Sequence, residues 1–170
     1  MRQTQGAESD EPAPATIEVG IAEYAVTGNG EALSTYGLGS CVAVGLFDVE
    51  NGVSGLAHVM LPSADTAKGD EPGKFADTAI RSMVAEMEGL GARKAHIRAK
   101  VVGGSEMFDF TGIAEGVGRR NVKAAKRELK QLGIPIDAED VGGDHGRSVT
   151  FDGSTGTLTL KTADDGETDI

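Results

Sequence analysis

A chain of 170 residues fits one ordinary domain, able to bury roughly two thirds of its unfolded surface. Its net charge of −11 argues against nucleic acid, whose phosphates it would repel, and no apolar run approaches the ~20 residues that span a bilayer. One cysteine leaves no internal disulfide, so the sulfur is free for chemistry or for packing, as suits a reducing cytoplasm.

The acidity is uneven. Glu8, Asp10 and Glu11 against Arg2 give residues 1–16 a net −2, and Asp164, Asp165, Glu167 and Asp169 give residues 162–170 a net −4, so −5 of the −11 remains for residues 17–161. An acidic, lysine-poor surface suits a salt-rich cytoplasm, and a halophilic source such as an archaeon is expected.

Residues 1–16, with Pro12 and Pro14 among small and acidic residues, read as a disordered acidic tail without the basic start and apolar stretch of a secretory signal. Ile17 to Val26 alternates apolar and polar residues, as a first strand would. Gly28-Asn29-Gly30 makes a turn, Ala32 to Tyr36 reads as a second strand, and Gly37-x-Gly39 forms a corner feeding a buried strand from Cys41 to Phe47. Asn51-Gly52 is a hairpin signal that returns the chain as Val53 to Leu61, before an exposed loop from Pro62 to Lys74. Ala76, Ala79, Ile80, Met83, Val84, Met87 and Leu90 recur at helical spacing, and Gly89 and Gly91 mark the helix end. Lys94 to Val102 alternates again, with His96, Arg98 and Lys100 on its polar face. A second helix runs from about Val117 to Leu132 and is closed by Gly133; strands follow at Ile134 to Val141, Ser148 to Phe151 and Thr157 to Lys161. Residues 162–170 read as a second disordered tail. Residues 17–161 then form one domain, an α/β layered sandwich of mixed or antiparallel sheet with about two main helices.

Chemistry gathers where the corner meets the hairpin. His58 lies seventeen residues after Cys41, and a turn near Glu50-Asn51-Gly52 brings it back towards the sulfur by antiparallel pairing. A thiol of pKa about 8.5 needs a helper to become a nucleophile; an imidazole supplies one, and glycines let backbone N–H groups approach a developing oxyanion. On this reading Cys41 is the nucleophile and His58 the base, which raises the thiolate fraction of the sulfur. Gly39 and Ser40 hold the oxyanion through corner amides, or Ser40 through its hydroxyl. The competing reading is an inert core cysteine and a core histidine bonded locally. His96 and His145 read as exposed, and neither lies at a spacing that builds a zinc site with Cys41; no metal or cofactor is expected. Gly103-Gly104 and Gly142-Gly143 lack the Gly-Lys-Ser/Thr ending of a phosphate loop and read as structural. Phe108 and Phe110 fit the core and a partner-binding edge equally well.

Five stretches in order carry a resemblance. Thr35-x-Gly37-Leu38-Gly39-Ser40-Cys41-Val42 leads to Ala57-His58-Val59-Met60-Leu61-Pro62; then come Gly103-Gly104-Ser105-Glu106-Met107-Phe108, Gly116-Val117-Gly118-Arg119-Arg120-Asn121, and Gly142-Gly143-Asp144-His145-Gly146-Arg147. With the opening Ile17 to Val26, which holds Gly20 and Glu23-Tyr24, they span roughly residues 17–152 and resemble the chemoreceptor glutamine deamidase family, the CheD-type proteins of chemotaxis. The resemblance implies a layered sandwich similar to the cytotoxic necrotizing factor deamidases. It also implies Thr35 as the acceptor that orients His58. The activity implied is hydrolysis of glutamine side-chain amides on methyl-accepting chemoreceptors to glutamate and ammonia through a Cys41 thioester, in the cytoplasm. The alternative it implies is an adaptor that regulates a CheC-type response-regulator phosphatase, a role that need not use the thiol. A third, weaker reading is another thiol amidohydrolase or esterase built on the same dyad.

Overall fold

Apolar alternation, Gly turns and two helical periods fold into β1 (Thr16–Glu18), β2 (Tyr24–Thr27), β3 (Ala32–Leu38), β4 (Val42–Asp48), β5 (Val53–Val59), α1 (Ala76–Gly89), β6 (Arg98–Gly103), α2 (Val117–Gln131), β7 (Ile136–Val141), β8 (Arg147–Asp152), β9 (Thr157–Thr162) and β10 (Gly166–Asp169). The computed structural model describes residues 15–64, 71–106, 116–164 and 166–170. The acidic residues 1–14, most of the loop after Ser63, and Phe108 and Phe110 lie outside the described residues. One mixed sheet has the order β1-β3-β8-β9-β10 and the other β2-β5-β4-β6-β7; β1–β3 and β6–β7 are parallel, and the remaining pairs antiparallel. The chain is thus an α/β sandwich, with the two α-helices of the described residues over one face of the second sheet and the first sheet over the other.

β4 shows why. Every residue from Val42 to Asp48 is buried, because the strand runs through the middle of its sheet with packing on both faces. Val42, Val44 and Leu46 point towards the helices and meet Ile80, Met83, Ala125 and Leu129. Ala43 and Phe47 point the other way, towards Leu33, Val149, Phe151 and Leu158 of the first sheet. Phe47 meets Phe151 edge-on with ring centroids 5.8 Å apart, and a Cβ on Gly45 would stand 3.3 Å from the same ring. Each fully buried Leu, Ile or Met side chain contributes roughly 1.5–3 kcal/mol. α2 ends at Leu132, with the N–H of Ile134 donating to the Leu129 carbonyl and that of Gly133 to Lys130, so the last carbonyls of the helix are satisfied.

Three expectations change. Ile17 to Val26 is not one strand: β1 pairs with β3 in one sheet and β2 with β5 in the other, and the chain crosses between them through a turn in which Gly20 accepts from the N–H of Glu23. Inner faces of both sheets demand the same alternation, so the pattern hides the change of sheet. Lys94–His96 is a 3-10 turn, and the strand starts only at Arg98. The expected disordered tail from 162 is ordered over residues 166–170: β10 pairs with β9 from Gly166↔Thr162 to Asp169↔Thr159, and Ile170 exchanges both backbone hydrogen bonds with Leu158. An antiparallel return satisfies backbone groups whatever the side chains, and the acidic ones stay exposed. No helix among the described residues is long and apolar enough to cross a membrane.

Candidate active site

The hairpin register sets the first relationship. Val42 pairs with Val59 and Ala43 with His58, so Cys41, two residues before Ala43, shares the face on which His58 projects. This is a diagonal cross-strand pair, about 7–8 Å apart in ordinary antiparallel geometry and within reach of a ring. Both side chains face the first sheet. His58 is fully buried, whereas Cys41 is half-buried at the open end of β4. The backbone of His58 is fixed on its other side by the β1–β2 crossover: its N–H donates to Glu23 O and its carbonyl accepts from Ala22, both at 2.9 Å.

Thr35 comes from the opposite sheet. Its Oγ1 lies 2.6 Å from the Val19 carbonyl and 2.7 Å from His58 Nδ1. A carbonyl cannot donate, so the one hydroxyl proton goes to Val19 and the oxygen accepts from Nδ1–H. The ring therefore carries its proton on Nδ1 and a lone pair on Nε2. Nε2 is buried and has no hydrogen-bond partner among the described residues, Cys41 Sγ included. Burial pushes the His58 imidazole below its ordinary value and the Cys41 thiol above its own. In the free protein burial thus works against the expected rise in thiolate and favours the neutral imidazole on the face it shares with the thiol.

The corner before Cys41 is tied down carbonyl by carbonyl. Gly37 takes φ 73°, a left-handed conformation that costs glycine little, inside a bulge where the β3–β8 register shifts between Thr35 and Leu38. Gly39 is not left-handed; its carbonyl accepts from the N–H of Ser105 at 2.8 Å. The Cys41 carbonyl accepts from Gly104 at 2.9 Å, and the Ser40 carbonyl from Asn121 Nδ2 at 2.9 Å. Among the described residues no acceptor is bonded to the N–H groups of Gly39, Ser40 or Cys41. Consecutive carbonyls turned inward and amides without acceptors make a frame that can receive an oxyanion.

Asn121 ends the Gly116–Asn121 motif, and the sequence alone assigns it no part in the site. It is fully buried, and its Nδ2 also donates to Met60 O at 3.0 Å. Ser105 joins the frame from a second side: its hydroxyl donates to the His145 carbonyl at 2.6 Å and accepts from Arg147, whose guanidinium also pairs with Asp140 at 2.8 Å. A buried asparagine at a helix start is a usable signal only once its partners are known.

The rings of the remaining histidines take no part in these contacts. His96 is partly buried, not exposed as expected, because it precedes β6 and packs 3.9 Å from Asp48 and 3.8 Å from Glu50. His145 lies in the turn before β8, 3.9 Å from exposed Asp144. No group of three His, Cys, Asp or Glu among the described residues is placed to hold a metal ion.

Comparison with known proteins places the chain in a family. A family model described as CheD chemotactic sensory transduction matches residues 60–162. A Haloarcula marismortui protein named probable chemoreceptor glutamine deamidase CheD is 43% identical over 166 residues, 96% of each chain, and is consistent with the expected halophilic archaeal source. A Clostridium botulinum (strain Hall) protein of the same name is 46% identical over 157 residues, 91% of this chain and 97% of its own. The family model starts beyond His58, so the relatives' coverage is what spans Thr35, Cys41 and His58. The crystal structure of Neisseria meningitidis protein NMB0706, family model DUF152, shares the fold alone, with a TM-score of 0.50 at 11% identity over 76% of this chain and 64% of that one. The chain belongs to the CheD family of chemotactic sensory transduction proteins.

Proposed function

We propose that this protein is a cytoplasmic chemoreceptor glutamine deamidase, a protein-glutamine glutaminase in which Cys41, His58 and Thr35 do the chemistry. The observation that carries the reading is the Thr35–His58 hydrogen bond, which leaves the Nε2 lone pair as the base on the face shared with Cys41. As glutamine enters, Nε2 takes the thiol proton and Sγ attacks the side-chain carboxamide carbon. Charge develops on the carboxamide oxygen, and the N–H groups of Gly39, Ser40 and Cys41 stabilise it. The imidazolium returns its proton to the departing nitrogen, ammonia leaves, and a thioester remains. Water deprotonated by the same Nε2 then attacks that thioester, freeing glutamate and the thiol. The His58 ring moves every proton, which is why its tautomer matters more than the resting charge of the sulfur.

The test is intact-mass analysis of receptor fragments incubated with wild type and Cys41→Ala. The NH₂-to-OH exchange should accumulate only with wild type; conversion by Cys41→Ala at the wild-type rate overturns the thiol mechanism. The family resemblance also supports a CheC-type phosphatase as a partner, and that binding survives Cys41→Ala because it does not need the sulfur.

A further inference from the structure

The β4–β5 ladder stops one pair short of the chemistry. Its last rung is Val42–Val59, while Cys41 and Met60 lie just beyond it. At that open end Asn121 reaches in from α2 and donates to Ser40 O at 2.9 Å and Met60 O at 3.0 Å, one carbonyl just before β4 and one just after β5. Both acceptors are carbonyls, so only the amide nitrogen can face them and the orientation of the side chain is decided. Oδ1 is buried with no partner among the described residues, so the side chain is held for its donors.

The helix that carries Asn121 is itself fixed against the corner. A Cβ on Gly118 would stand 2.4 Å from the Ser105 carbonyl and 2.5 Å from that of Gly104, so only glycine lets α2 approach the segment that bonds Gly39 and Cys41. The Glu106 carboxylate accepts from the N–H groups of Gly116 at 2.5 Å and Arg119 at 3.1 Å, fastening the first turn.

We propose that Asn121 is a positioning residue, a clip that sets the separation of the nucleophile and base strands where their own ladder has ended. The proposal rests on the reading that Cys41 and His58 carry the reaction. Asn121 touches neither substrate nor sulfur; it acts by holding the Ser40 and Met60 carbonyls, and so keeps Cys41 within reach of Nε2 and the corner amides aimed at one point.

Asn121→Ala in the full chain is compared with Ile80→Val, a core control on α1 that leaves the corner untouched. Deamidation of receptor fragments gives kcat and KM, and iodoacetamide gives the alkylation rate of Cys41 without substrate. The expected result is a kcat lowered by about 10²-fold, the scale of a small misplacement of reacting groups, with KM little changed. Alkylation should be faster than in wild type as the loosened corner uncovers Sγ, and Ile80→Val should move neither quantity. Loss of kcat no greater than in Ile80→Val, or an unchanged alkylation rate, overturns the clip. Should wild type fail to deamidate receptor fragments, the substrate reading falls and the alkylation arm still decides the clip. If Asn121→Ala does not fold, Asn121→Ser, which keeps one shorter donor, decides the matter on the same two readouts.

Discussion

The Thr35 hydroxyl stands 2.7 Å from His58 Nδ1 across the gap between two sheets, and this contact decides which nitrogen of the ring is basic. The Val19 carbonyl completes it by taking the hydroxyl proton at 2.6 Å. An uncharged hydroxyl in this place orients the ring without stabilising an imidazolium as a carboxylate would, in keeping with a histidine whose charged form burial already disfavours.

Thr35→Val keeps the volume and removes the hydroxyl, leaving Nδ1 free to lose its proton to the wrong tautomer. Deamidation should slow by about tenfold, less than in His58→Ala, where loss of proton transfer typically costs ~10²–10⁴-fold. Thr35→Ser should stay near wild type. ¹⁵N chemical shifts of the ring should show the Nδ1–H tautomer in wild type and a mixture in Thr35→Val. Equal losses in Thr35→Val and His58→Ala, with folding intact, would mean that Thr35 does more than orient.

Cys41→Ala should abolish deamidation while the melting temperature stays close to wild type, because the sulfur is only half-buried at a strand end. Circular dichroism melts beside the mass assay check this. A drop in melting temperature as large as that of a core truncation would assign the sulfur to packing.

Acidity should act through His58. Its folded pKa lies below the ordinary 6.5, so between that lowered value and 6.5 the unfolded chain binds more protons than the folded one. The stability due to the neutral ring is therefore complete above 6.5 and lost as pH falls through that window. Deamidation should persist to pH values at which an ordinary histidine is already charged, then fall. Urea midpoints of wild type and His58→Ala should draw together as pH drops through the window; a gap that widens on acidification would reverse the assignment. Alkylation of Cys41 in the free protein should set in at higher pH than for a plain thiol of pKa about 8.5.

Asp48 closes the opposite end of β4, about 20 Å from Cys41 at ordinary strand rise. It is fully buried and accepts from the Arg93 N–H at 2.9 Å and from the N–H and Nδ2 of Asn51 at 3.1 and 2.8 Å. Burial pushes its carboxyl up, but these donors, with His96 nearby, together hold it below the ordinary 3.8. That stability is present above 3.8 and lost as pH falls through the lowered value. Asp48→Ala removes a buried charged acceptor of three part-buried hydrogen bonds and should cost about 1–3 kcal/mol, with kcat unchanged in the folded fraction. Denaturant titrations and initial rates check the two halves; a fall in kcat at full folding would connect the two ends of the strand.

The hairpin was legible because its information is local. Asn51-Gly52 marks the reversal, the two-residue period decides faces, and together they put Cys41 and His58 on the same side of one sheet without any tertiary knowledge. The two described helices were legible from their apolar spacing, though Leu90, the last residue of the first spacing, caps α1 and is 53% exposed. The break between β1 and β2 was not legible, since strands facing one core from either side carry one pattern.

Thr35 could be assigned from the sequence only through a family resemblance, since its contact with His58 bridges 23 residues and two sheets, and Asn121 reaches Ser40 across 81 residues. Turn chemistry and periodicity are properties of a few successive residues, so the sequence by itself determined the hairpin, the helices and the candidate pair. Burial and hydrogen bonds between distant segments exist only in the packed molecule. Packing alone therefore decided the tautomer of His58, the raised pKa of Cys41, and the Asn121 contacts at the open end of the hairpin.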